Sequence, residues 1–332
     1  MLSSNWKIAI AAALFAVTCS LSLAQVGPPV ILRVEYENGV RYVFDSVDIP
    51  AFATVQTPVS QAIPTFATYV LLADVVAVNG KPAKGVFLTR QVVVNLTTSA
   101  SAGQAIADVV RTNVVDRIVE IQQLDGAPIG SIMTLGFDGG STPPGAPAGT
   151  TGNFAITGGS GAFVGVRGQA AGGGLIVANR NASVREDPAQ RRVNGGGKAS
   201  LVMQLIPMSR PEIVATASGP AVFHADLSPV TTVKPAKAGE VLIIRATGLG
   251  PTRPGIDLGQ SFPLDATQEV NSPVDVTVNG QPADVINKIG WPGLVDTYRV
   301  DFRVPDGVAA GTAAIQLTAA WIAGAAVNIP TQ

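Results

Sequence analysis

The chain has 332 residues, with 22 Lys and Arg against 23 Asp and Glu, and a single cysteine. That length exceeds one small core and fits two domains of ordinary size. A near-neutral, sparsely charged surface excludes long-range attraction for nucleic acid or anionic lipid, and one cysteine excludes a disulfide framework.

Lys7 precedes the apolar run Ile8 to Val17, and Ser22-Leu23-Ala24 offers small residues at a cleavage site. This order predicts a secretory signal peptide over residues 1–24, with an apolar run too short for a membrane span. Cys19 falls inside it, and Thr18 just ahead of it makes a poor lipidation site. The expected product is exported to the periplasm, cell surface or medium, free of disulfides and of any later membrane span.

High glycine and proline with abundant Val, Ala and Thr predict short strands joined by many turns. Val30–Glu35 and Val40–Phe44 read as strands around a hairpin turn at Asn38-Gly39. Tyr69–Val78 and Gly85–Leu96 flank a turn at Asn79-Gly80, and Ile118–Gln123 and Gly130–Phe137 flank one at Asp125-Gly126. Within 101–118, Ile106, Val109, Val110, Val114 and Ile118 have helical spacing, whereas their β-branching opposes a helix. The sequence leaves both open. Gly139 to Gly152 reads as a loop, Asn153–Ile156, Ala162–Gly168 and Leu175–Ala178 as strands with a bend at Gly172–Gly174, and Ala199–Ile206 as the last strand before a junction at Pro207–Pro211.

Beyond the junction, Glu240–Thr247, Val274–Val278, Tyr298–Val304 and Thr312–Ala319 alternate like half-buried strands. In the third, Tyr298, Val300, Phe302 and Val304 are expected to face one core, and Arg299, Asp301 and Arg303 water. Such strands over 211–332 predict an immunoglobulin-like β-sandwich.

The run Phe154-Ala155-Ile156-Thr157-Gly158-Gly159-Ser160-Gly161-Ala162-Phe163-Val164-Gly165-Val166-Arg167-Gly168 resembles the signature of allene oxide cyclase-like and dirigent-like proteins. The resemblance implies a mainly β fold over 26–208, an antiparallel eight-stranded barrel, with members that cyclise or couple apolar substrates in the lumen. In this chain Gly158, Gly159, Gly161 and Gly168 are expected to shape a structural turn, with Phe163 packing inward. The second half resembles immunoglobulin-like modules of the IPT/TIG type in secreted acidobacterial proteins. Its matching residues are Ala246–Thr252, Val276–Ala283 and Tyr298–Pro305, and the resemblance implies a module that packs or binds.

Catalytic sets are thin. A Ser-His pair could use only His224, because the chain has one histidine. Gly159-Ser160-Gly161 is no nucleophile elbow, since Ala162 follows, and Gly195-Gly196-Gly197-Lys198 lacks phosphate-loop spacing. Neither a zinc set nor calcium-loop spacing around Asp257 and Asp265 is present, so no cofactor or metal is expected. Arg167 has two readings, a polar anchor in the barrel lumen or a pin for the glycine-rich turn. Glu35, Tyr36 and Tyr42 could line the lumen or lie exposed on the first hairpin. Arg191-Arg192 reads as a solvated loop tip.

The sequence thus predicts an exported, non-enzymatic binding or surface-interaction protein whose partner is an apolar small molecule or a cell-surface macromolecule. The alternative is a cyclase-like or dirigent-like enzyme, or carrier, with an apolar ligand in the lumen.

Overall fold

The computed structural model describes residues 28–43, 66–95, 111–138, 151–183 and 185–332. The expected signal peptide, most of the Gly139–Gly152 loop and residues 101–110 lie outside them.

The N-terminal half is built from β1 (Val30–Val43), β2 (Phe66–Val78), β3 (Lys81–Asn95), β4 (Arg111–Gln122), β5 (Pro128–Asp138), β6 (Thr151–Gly161), β7 (Arg167–Val177), β8 (Arg180–Ser183) and β9 (Gly197–Ile206). Pairing runs from β2 through β7 in order, then to β9, β1 and back to β2, all antiparallel, so eight strands close a barrel. The short β8 adds in parallel to β1 outside the ring. Closure removes the exposed edges that open sheets must protect.

Several local expectations are corrected. Asn38-Gly39 makes no hairpin; it sits in a register shift within β1, with Asn38 at φ 57°. A Cβ on Gly39 would meet the Asn179 side chain at 2.3 Å, so the bulge seats the outer loop against the wall. The two-way signal over 101–118 resolves to strand from Arg111, where inward Val115, Arg117, Val119 and Ile121 set a period of two. Residues 162–165, expected as strand, form the β6–β7 turn, whereas at the expected bend β7 carries a register shift between Gly172 and Leu175 while staying one strand. The turn at Asn79-Gly80 forms as expected and a like turn joins the strands at Asn279-Gly280, both residues of each at positive φ.

Thirteen further strands, β10–β22, run from Glu212 to Thr331. The longest are β14 (Val241–Thr247), β17 (Val274–Val278), β18 (Gln281–Gly290), β19 (Tyr298–Arg303) and β20 (Gly311–Ala319). Eleven of the strands form one curled, antiparallel sheet around its own core. In β19 Tyr298, Val300 and Phe302 are buried while Arg299 and Asp301 are only partly covered and Arg303 is exposed, the expected alternation.

The C-terminal sheet also enters the barrel's core. Ala320 and Trp321, at φ 46° and 63°, form the tight turn between β20 and β21 (Ile322–Ala323). Ala320 and Ile322 belong to the same apolar cluster as Leu32, Val78, Ile121, Ile129, Phe163 and Leu205, with Trp321 packed against it. Those barrel residues come from one end of the strands, so the turn is a stopper for that end.

Polar contacts fix the stopper in place. Arg253 pairs with Asp125 at 2.5 Å, Asn271 Nδ2 donates to the Pro128 carbonyl at 3.0 Å, and Gln123 Nε2 donates to the Asn271 carbonyl. Arg210 donates to the Ala323 and Pro28 carbonyls at 2.8 and 2.5 Å. Nearby, Lys288 donates to the Ser272 carbonyl at 2.8 Å, and its partial burial lowers its pKa from the usual lysine range.

Candidate functional site

The β6–β7 turn positions the site. Gly161 and Gly165, at φ 61° and 72°, let the chain reverse within a few residues. Phe163 is thereby driven into the barrel core, as expected, while Val164 is left exposed. Gly158 and Gly159 precede the turn, in β6. Gly159 is needed because a Cβ would lie 2.4 Å from the Phe163 carbonyl oxygen; Gly168 likewise lies against β9, where a Cβ would meet the Gln204 carbonyl oxygen at 2.0 Å.

This turn, the Ile206–Glu212 connection and the Gly248–Phe262 and Val295–Tyr298 segments of the C-terminal sheet surround a cleft of about 1070 Å³. Val164, Ile206, Met208, Leu258 and Val295 all line it and are all exposed. Five exposed apolar side chains from four segments around one concavity are the pattern of a binding surface rather than of scattered surface leucines. The floor is rigid. Tyr298 Oη donates to the Gly250 carbonyl at 2.7 Å, and Tyr298 stacks edge-on with Phe262 at 5.4 Å. Burial, then Asp296, holds the Tyr298 hydroxyl protonated by raising its pKa well above the ordinary tyrosine value. Arg167, Arg210, Glu212, Asp257 and Asp296 supply charge of both signs at the rim.

Arg167 therefore belongs to the cleft and not to the lumen. It is exposed, and its Nη1 donates to the Val166 carbonyl at 2.9 Å, as a pin on the turn would. The other residues singled out from the sequence do not converge with it. Tyr36 is buried in the lumen, stacked on Phe87 at 4.3 Å. Glu35 points the other way, 3.9 Å from Arg33. Tyr42 is buried outside the barrel wall, with Val40, Ala182 and Leu72 beneath the β8 loop. Burial raises its pKa, with Glu186 adding to the effect.

The same outer layer overturns the reading of Arg191-Arg192 as a solvated tip. Both pair with Asp74 on β2, and Arg191 is only 8% exposed. Burial alone would raise the Asp74 pKa, but hydrogen bonds from Arg192, Asn38 and Arg191 outweigh it and hold it below the usual carboxylate value. Arg180 grips Glu186 through two bonds of 2.9 and 2.5 Å.

Sequence reasoning missed the lumen's own cation. Arg117, 5% exposed, lies between the rings of Phe87 and Phe154, at 5.0 and 4.2 Å from their centroids, with Nε 3.3 Å from the Thr89 hydroxyl. The alternation of β4 was the signal that could have found it, because Val115, Arg117 and Val119 share one face. Below Arg117 the lumen is filled by Leu32, Val34, Val119, Ile121, Ile132 and Leu205 among others.

His224, the one histidine, is buried between Glu240 (2.6 Å from Nδ1) and the Lys234 carbonyl (3.1 Å from Nε2), with both ring nitrogens occupied. That is a structural tie. Among the described residues no group of three or more His, Cys, Asp or Glu side chains could hold a metal ion. Comparison with protein-family models, with curated proteins and with solved structures found no match.

Proposed function

We propose that this chain is an exported, non-enzymatic binding protein that holds its partner in the cleft between the barrel and the C-terminal sheet. The observation that carries this reading is the cleft itself, with exposed Val164, Ile206, Met208, Leu258 and Val295 converging on one concavity. Its charged groups are spread around the rim, and the buried His224 is engaged elsewhere. This is the economy of a binding surface rather than of proton or acyl transfer.

On the residues of the β6–β7 turn we group the barrel with allene oxide cyclase-like and dirigent-like proteins. On Ala246–Thr252, Val276–Ala283 and Tyr298–Pro305 we group the C-terminal sheet with immunoglobulin-like IPT/TIG modules. The closed eight-strand barrel and the curled antiparallel sheet support both groupings. The rival, a lumen enzyme anchored by Arg167, loses its anchor to the outer cleft.

The test is a peptide-display selection against residues 25–332, repeated against a Met208→Glu/Leu258→Glu variant. Selected binders should lose the variant while its melting temperature holds. Binders indifferent to both substitutions would reject the cleft. Export is tested separately by N-terminal sequencing of the exported product, expected to begin at Gln25.

A further inference from the structure

On the reading of the cleft as the binding surface, we propose that its partner is an extended peptide segment carrying a lysine or arginine among apolar side chains, with the cation set against the C-terminal wall. The two walls of the cleft differ in charge. Every charged residue that the C-terminal sheet brings to it is acidic: Glu212 from β10 (Glu212–Ile213), Asp257 and Asp296. Both arginines come from the other side, Arg167 from β7 and Arg210 from the connection.

The arginines are bonded to the backbone, Arg167 to the Val166 carbonyl at 2.9 Å and Arg210 to the Ala323 and Pro28 carbonyls at 2.8 and 2.5 Å. The carboxylates are more open. Asp296 adjoins the Tyr298 hydroxyl, but Glu212 and Asp257 are exposed and have no hydrogen-bond or ion-pair partner among the described residues. Two backbone bonds hold the Asp257 and Asp296 loops side by side. Phe262 N–H donates to the Leu294 carbonyl at 2.9 Å, and Gly293 N–H to the Phe262 carbonyl at 2.8 Å. The acidic wall is therefore set before any partner arrives, and it complements a cation.

Other chemistries fit less well. A phosphate or nucleic acid would meet three carboxylates and two guanidiniums already bonded to the backbone. A sugar finds no ring face to stack on, because Phe262 and Tyr298, the aromatic residues at the cleft, are both buried. The shape favours a chain over a compact amine. About 1070 Å³ lies at the top of the range for single small molecules, roughly 300–1,000 Å³. Apolar contacts are offered from four segments, which successive side chains of a peptide can meet in turn. Gly255 and Gly259 bracket Asp257 and Leu258, and a Cβ on Gly259 would meet nothing within 4 Å. Main chain beside the carboxylate is thus open to the backbone of a partner.

A peptide-display selection against residues 25–332, followed by isothermal titration of the selected peptides, tests the proposal. Peptides that fail to bind Met208→Ser/Leu258→Ser are the cleft binders, since serine strips the apolar rim without adding charge. Among them lysine and arginine should be enriched over aspartate and glutamate, by roughly three-fold relative to the library. Glu212→Gln/Asp257→Asn should weaken their binding about five-fold at low salt, and less at high salt. Both positions are exposed, so this variant should keep the parent melting temperature. Cleft binders without basic enrichment would overturn the proposal and leave the cleft as the binding surface. Unchanged affinity for the Glu212→Gln/Asp257→Asn variant would do the same. A selection whose binders are all indifferent to Met208→Ser/Leu258→Ser would reject the cleft itself, and the proposal with it.

Discussion

The barrel and the C-terminal sheet spend their interiors differently. The barrel encloses Thr89, Gln91, Arg117 and Thr134 among its apolar core. The C-terminal sheet buries polar groups too but ties them off: His224 lies between Glu240 and the Lys234 carbonyl, Thr252 donates to Gln268, Ser272 to the Leu249 carbonyl and Asn271 to the Pro128 carbonyl. Buried polar groups cost stability unless each is satisfied, and in the barrel the Thr134 hydroxyl is left without a partner among the described residues. The C-terminal sheet supplies rigidity, a stopper and one wall of the cleft.

The largest expected effect comes from the barrel interior. Phe154→Ala leaves a void and removes one face of the Arg117 stack; it should cost about 3–5 kcal/mol in denaturant unfolding. A loss below about 1 kcal/mol would mean the lumen is looser than its packing implies. Trp321→Ala sharpens the comparison from the other side. It should cost roughly 2–3 kcal/mol and split one calorimetric transition into two, since the stopper couples the units. One unsplit transition would show that the polar clamp alone holds them together.

Next is Asp74→Asn, expected to cost about 2 kcal/mol at neutral pH by leaving buried Arg191 without its carboxylate. Because the folded pKa of Asp74 is depressed, its contribution is present above the unfolded value of about 4 and is lost as pH falls through the lower folded value. The gap between wild type and variant should therefore close as pH drops below about 4. A gap constant with pH would remove the carboxylate from the account. Arg253→Ala breaks a solvent-exposed pair and should have the smallest effect of the four on the unfolding midpoint, shrinking further in high salt.

The fold was more legible than the site. Alternation in β17, β19 and β20 and the Asn-Gly turns are period-two and positive-φ signals that one sequence carries. The stretch around Asn38-Gly39 misled because the same dipeptide serves a hairpin or a bulge, and the choice rests on Asn179, far along the chain. Arg167 kept two readings in the sequence because only the turn's exact position decides which way it faces; the β6–β7 turn puts it outside, pinned to the Val166 carbonyl. The cleft could not be read at all. Val164, Met208 and Leu258 are unrelated in the sequence and meet only because the Trp321 stopper fixes the C-terminal sheet against the barrel.

A second apolar surface competes with the cleft. On the outer wall Leu88, Ile118 and Met133 lie in one row across β3–β5, and Val92, Val114 and Phe137 in another. Photo-incorporation of bis-ANS into residues 25–332, followed by peptide mapping, separates the two surfaces directly. The account predicts label in peptides carrying Val164, Met208 and Leu258. Label confined to Leu88, Ile118 and Met133 would contradict it, and would move the binding surface to the barrel wall.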